Sequence, residues 1–111
     1  MKVYISLPIT GLDIKEVKAS AAEAKRKLKE MGHSPISPLD ITPNEDMPYS
    51  YYMGADIMAL LESEAVVFLP GWQNSNGCML EFNAAIIYKK KIILHIDEAK
   101  FHSTDQQHVP E

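Results

Sequence analysis

Hydrophobic positions along the chain fall into two patterns. Short, mostly apolar runs of strand length occur at Val3-Tyr4-Ile5, at Ala65 to Leu69 and, interrupted by His95, at Ile92 to Ile96. Between them, apolar residues recur every three or four positions. From Ile14 to Met31 these are Val17, Ala21, Ala24, Leu28 and Met31, with Lys and Glu elsewhere, which predicts a long amphipathic helix. Asp13 reads as its N-cap and Gly32 as its C-cap. A second helix is predicted over about Tyr49 to Leu61 and a third over about Cys78 to Tyr88, where Lys89-Lys90-Lys91 suits the negative end of the dipole. Ser34 to Ser37 reads as a weak strand, held to a sheet edge by its prolines. Pro38 to Pro48, with three prolines and three acids, reads as a long loop.

The order βαβαβαβ predicts an α/β fold: a flavodoxin/Rossmann-like, doubly wound parallel sheet of about four strands, with helices on both faces. Apolar strands without alternation belong in the middle of such a sheet. Right-handed crossovers and a switch point beside the first strand give the strand order 2-1-3-4. Residues 1–111 are expected to form a single domain, with a loose polar tail from about residue 98.

Charge and composition narrow the function. With 11 basic and 15 acidic residues, the net charge of −4 argues against a nucleic-acid polymer as partner. The single Cys78 forms no internal disulfide, which favours the cytoplasm. No apolar run approaches the roughly 20 residues of a membrane span, and Met1 to Ile5 reads as a strand rather than a signal peptide. The four histidines lack metal-ligand spacing, so no metal and no cofactor is expected.

The stretch from Ala65 to Glu81 holds the strongest candidate chemistry. It reads as strand, then a loop of Gly, Asn and Ser, then a helix start. In an open α/β sheet that edge is where ligands bind, and a helix N-terminus there offers N–H groups. Glu81 is expected in the first turn of that helix, facing a crevice shared with Asp56 of the second helix and Tyr4 of the first strand. Two carboxyl groups at one pocket suit acid/base or nucleophilic work at a sugar carbon. Taken singly, each residue has a plainer role: Glu81 a dipole or capping residue, Asp56 a surface acid, Tyr4 a core residue, Ser75 and Asn76 turn and capping residues, Cys78 a packing residue. Trp72 suits either a lid over a ligand or an aromatic plug.

Two motifs together resemble the nucleoside 2-deoxyribosyltransferase superfamily. One is Val3-Tyr4-Ile5-Ser6-x-Pro8-Ile9-Thr10-Gly11. The other is Asp56 followed by Val66 to Trp72 and Ser75-x-Gly77-Cys78-x-x-Glu81. The nearest branches are small phage and bacterial domains of unknown function and the deoxynucleoside-monophosphate glycosidases. The resemblance spans residues 2 to about 97. It implies that Glu81 is the nucleophile at C1′, that Asp56 handles the proton of the leaving base, and that Tyr4 sits beside the nucleophile. Ser75, Asn76 and Gly77 would hold the 5′ end of the sugar or a 5′-phosphate, and Gly71 and Trp72 would also bind the substrate. Ser6, Pro8 and Gly11 would line the base or sugar side. Leu7 stands where many relatives carry Gly, and no acid lies between Gly71 and Gly77. The implied activity is cleavage of the N-glycosidic bond of a 2′-deoxynucleoside or its 5′-monophosphate through a covalent deoxyribosyl-glutamate, with transfer to another base or to water. The partners are then that small molecule and further copies of the chain, as a homodimer or higher homo-oligomer. A non-catalytic nucleotide-binding or sensor module of the same fold is the alternative.

Overall fold

Strand β1 (Lys2–Ser6) lies inside a four-stranded, all-parallel sheet, between β2 (Ser34–Ile36) and β3 (Ala65–Phe68); β4 (Lys91–Ile93) closes the far edge. The strand order 2-1-3-4 is the expected one. The computed structural model describes residues 1–41 and 47–101. Tyr4 stands opposite Ile36 on one side and Val66 on the other, and Val66 opposite Ile92.

Alternation along the central strands sends each residue set to one face. Val3, Ile5, Leu7, Val67 and Leu69 pack against Val17, Ala21, Ala24 and Leu28 of α1 (Ile14–Glu30). Tyr4, Val66 and Phe68 face the other way, against Ala59 and Leu60 of α3 (Tyr49–Leu61) and Ala85 of α4 (Asn76–Ile87). With both faces covered, β3 is apolar throughout, as a buried parallel strand must be.

Caps set the element boundaries. Asp13 caps α1 by accepting from the Lys15 N–H at 2.9 Å. Its C-terminus closes one residue before Gly32, which takes φ +90°. The Gly32 and His33 N–H groups donate back to the Lys29 and Leu28 carbonyls at 3.0 Å each, the Schellman arrangement.

Several expectations need correction. α4 begins at Asn76 rather than Cys78, because the Ser75 hydroxyl accepts from the Cys78 N–H at 3.2 Å and its carbonyl from the Met79 N–H at 2.9 Å. β4 ends at Ile93, and the exposed Leu94 and His95 lie beyond it. The start of the tail is not loose: a 3₁₀ segment, Ile96–Phe101, buries Ala99 in the α1-side core, and its Ala99 carbonyl lies 3.1 Å from His33 Nε2. In the segment expected to be a loop, Pro38–Ile41 forms a short helix, α2, with Asp40 Oδ2 accepting from the Ser37 N–H at 3.0 Å. The rest of that loop up to residue 46, and the tail beyond residue 101, lie outside the described residues. Among the described residues no helix is long and apolar enough to cross a membrane.

Candidate active site

The earlier start of α4 moves Glu81 from the first turn of that helix into the second. The side chain therefore does not cap the helix. It points at the sheet, where it is 3% exposed. Both carboxyl oxygens are held: the Tyr4 hydroxyl donates to Oε2 at 2.7 Å and the Ser6 hydroxyl donates to Oε1 at 2.6 Å. Tyr4 and Ser6 are two apart on β1, so the pleat turns both toward α4. Such short bonds from hydroxyl to carboxylate are of the strong, charge-assisted kind.

Asp56 sits one turn from the end of α3, buried at 8% exposure, and shares a cavity of about 1250 Å³ with Glu81. The cavity opens at the carboxyl edge of the sheet, over the switch point between β1 and β3. One wall comes from α3, the β3–α4 loop and α4: Tyr49, Tyr52, Met53, Asp56, Gly71, Ser75 to Cys78 and Glu81. The opposite wall comes from the β1–α1 segment, α1 and α2: Leu7 to Thr10, Leu12, Ile14, Lys18, Pro38 and Leu39. Gly71 adopts φ +91°, a left-handed conformation that strains any side chain, so this turn favours glycine.

Burial raises both acids. Glu81 is pushed up to about 7 by loss of water and by the nearby Asp56 charge, while the Ser6 and Tyr4 hydroxyls pull it back down. Asp56 is pushed up to about 6 by burial. Among the described residues none donates a hydrogen bond to its carboxyl group. The Tyr4 phenol is raised by burial and by the two carboxylates, so it stays a hydrogen-bond donor. The Cys78 thiol is raised by burial, which favours its protonated form.

The structure thus brings Asp56 and Glu81 to one cavity, with Tyr4 not on the lining but fully buried and hydrogen-bonded to Glu81, and places Pro8, Gly71, Ser75, Asn76 and Gly77 on the lining. Three residues expected at the ligand are not on that lining. Ser6 gives its hydroxyl to Glu81. Gly11, at φ +81°, shapes the exposed turn that the Leu12 N–H closes onto the Ile9 carbonyl. Trp72 is a plug, not a lid: it stacks on Phe82 at 4.7 Å and 24°, and against Phe68 at 5.3 Å. Sequence reasoning missed Tyr49, Tyr52 and Met53. A signal was available, since they precede Asp56 at spacings of seven, four and three, which is one face of a helix. Lys18, four residues after Ile14, was missed in the same way.

An α/β sheet with two buried acids at its switch point defines the class of site. The chain belongs to the family described as a domain of unknown function, DUF4406, which matches over residues 1–94. No curated protein matches it. Solved structures of similar fold include a 2-deoxyribosyltransferase from Bacillus psychrosaccharolyticus, with a TM-score of 0.66 at 18% identity over 83% of this chain and 69% of that one. Another is the CMP N-glycosidase BcmB of Clostridium botulinum, with a TM-score of 0.59 at 22% identity over 83% of this chain and 68% of that one.

Proposed function

We propose that the protein cleaves the N-glycosidic bond of a 2′-deoxynucleoside or its 5′-monophosphate, with Glu81 as nucleophile. The observation that carries this reading is the Glu81 carboxyl group, buried and held at both oxygens by Tyr4 and Ser6, with Asp56 in the same cavity. Ionised Glu81 attacks C1′ as the C1′–N bond breaks. The bonding electrons leave with the base nitrogen, which takes a proton from Asp56. The resulting deoxyribosyl ester on Glu81 is then opened by water or by a second base, whose proton returns to Asp56. Tyr4 and Ser6 orient the attacking carboxylate. The N-terminus of α4 at Ser75 to Gly77 suits the 5′ end of the sugar or its phosphate. Two similar folds named for a deoxyribosyltransferase and an N-glycosidase support the same chemistry.

Chromatography of each 2′-deoxynucleoside and 5′-monophosphate, with and without a second free base, tests the reading. The expected result is base release that Glu81→Gln lowers by at least about 10³-fold. Full activity in Glu81→Gln overturns the nucleophile. Ligand binding without turnover in folded protein establishes instead the non-catalytic nucleotide-binding module.

We also propose that the chain self-associates, because Met58 on α3 and Leu80, Ile86 and Ile87 on α4 are large, apolar and exposed. Sedimentation at micromolar concentration checks this, and a monomer throughout rejects it.

A further inference from the structure

The two walls of the cavity differ in chemistry, and the difference bears on which base is read. This inference rests on the reading above, which puts C1′ at Glu81 and the 5′ end of the sugar at the start of α4. The base then lies toward the opposite wall. That wall is apolar, built by Leu12, Ile14 and Leu39 among others, and suits the flat face of a heterocycle. It carries one charge. Lys18 follows Ile14 by one helical turn on the same face of α1 and lines the cavity. Among the described residues it is the one cationic side chain on the lining, and none of them forms an ion pair with it. On the same helix, by contrast, Lys25 pairs with Asp40 and Arg26 with Glu23 and Glu30.

We propose that Lys18 is the specificity-determining residue on the base side, and that it selects bases that present an oxo oxygen. An ammonium group donates and cannot accept. It pairs with the oxo oxygen of thymine, uracil, hypoxanthine or guanine, whereas at the corresponding position adenine carries an amino group and offers an ammonium only its ring nitrogens. The preference grows along the reaction. When the C1′–N bond breaks, its electron pair stays with the ring nitrogen and spreads onto the oxo oxygen, while Glu81 gains the bond to C1′. Lys18 keeps its proton throughout and meets the charge as it develops, so it acts more on the transition state than on the bound substrate. The ring nitrogen is protonated by Asp56, not by Lys18.

The test compares wild type, Lys18→Met and Lys18→Arg on deoxynucleosides and 5′-monophosphates of hypoxanthine, thymine and adenine. Lys18→Met is expected to lower kcat/KM for the oxo bases at least tenfold, mainly through kcat, and to leave adenine within twofold. Lys18→Arg is expected to recover most of the loss. An equal loss on all bases overturns the proposal, as does a loss that follows the 5′-phosphate instead of the base. Calorimetric titration with free hypoxanthine and free adenine separates this proposal from the catalytic one. If no substrate turns over, the catalytic reading fails by itself. A hypoxanthine preference that Lys18→Met abolishes still supports Lys18 as the base reader, and a preference unchanged by Lys18→Met, or none in wild type, overturns it.

Discussion

At the scale of single residues, the site sets two opposed demands on one carboxyl group. Under the proposed mechanism Glu81 must be ionised to attack, yet burial pushes it to about 7, while Asp56, pushed to about 6, must be protonated to give a proton away. Burial raises both acids, so the two share a proton in this range. The pair titrates in two coupled steps, and the singly protonated form is the active one. kcat/KM is thus expected to peak between pH 6 and 7. Tyr4 and Ser6 are what keep the productive form populated, since both hydrogen bonds favour the ionised Glu81. Tyr4→Phe removes one of them, so Glu81 rises and the shared proton moves toward it. A hydrogen bond to a charged group contributes about 1.5 kcal/mol, so the expected result is a maximum lowered about tenfold, with the alkaline limb displaced upward. A pH–rate profile of Tyr4→Phe measures both. A lower maximum on an unmoved alkaline limb would give Tyr4 a packing role only.

At the scale of elements, the ends of the helices carry the clearest consequences. α4 closes as α1 does: the Lys89 and Lys90 N–H groups donate back to the Ile86 and Ala85 carbonyls at 3.1 and 2.8 Å. Where α1 places Gly32 in the left-handed region, α4 places Lys89, at φ 59°. A side chain there costs about 1 kcal/mol, which glycine avoids. Lys89→Gly is therefore expected to raise stability by about 1 kcal/mol in urea melts, with no loss of activity; a destabilised variant would rule out backbone strain at this turn. These ends also show what the sequence revealed and what it hid. Val17, Ala21, Ala24 and Leu28 announced α1 because one side of that helix meets water. α3 and α4 are apolar on most sides, so periodicity located them without showing which face meets the sheet. Glu81 was therefore found as an acid at the correct edge but assigned to the wrong turn. Ser6 was placed near the ligand when its hydroxyl is spent on Glu81, a pairing across 75 positions of sequence that no local pattern encodes. Trp72 was read from its loop, but its stacking on Phe82 depends on how α4 leaves that loop.

At the scale of the whole molecule, the buried acids tie stability to pH in the direction opposite to that of an ordinary salt bridge. A carboxyl group whose pKa is higher folded than unfolded binds its proton more tightly in the folded state. Its contribution is fully present below the unfolded value and is lost as pH rises through the folded one. For Asp56 that window runs from 3.8 to about 6, and for Glu81 from 4.5 to about 7. Asp40 behaves conversely. Lys25 and the Ser37 N–H hold it below its ordinary value, so its contribution is lost only as pH falls under that range. Between pH 5 and 8 the two site acids therefore set the trend. Together they are expected to cost about 3 kcal/mol across that interval, once the water reaching the open cavity is allowed for. Urea melts at pH 5 and pH 8 measure it, with the Asp56→Asn, Glu81→Gln double variant as reference. The wild type should weaken toward pH 8 while the variant stays nearly flat and is the more stable of the two there. Equal slopes would mean that the acids ionise as freely in the folded protein as in the unfolded chain. Glu81 would then lack the burial that sets it apart from a surface carboxylate. The stability assigned to the site is thus lowest in the pH range where its carboxylates are ionised, a direct consequence of holding two carboxyl groups away from bulk water.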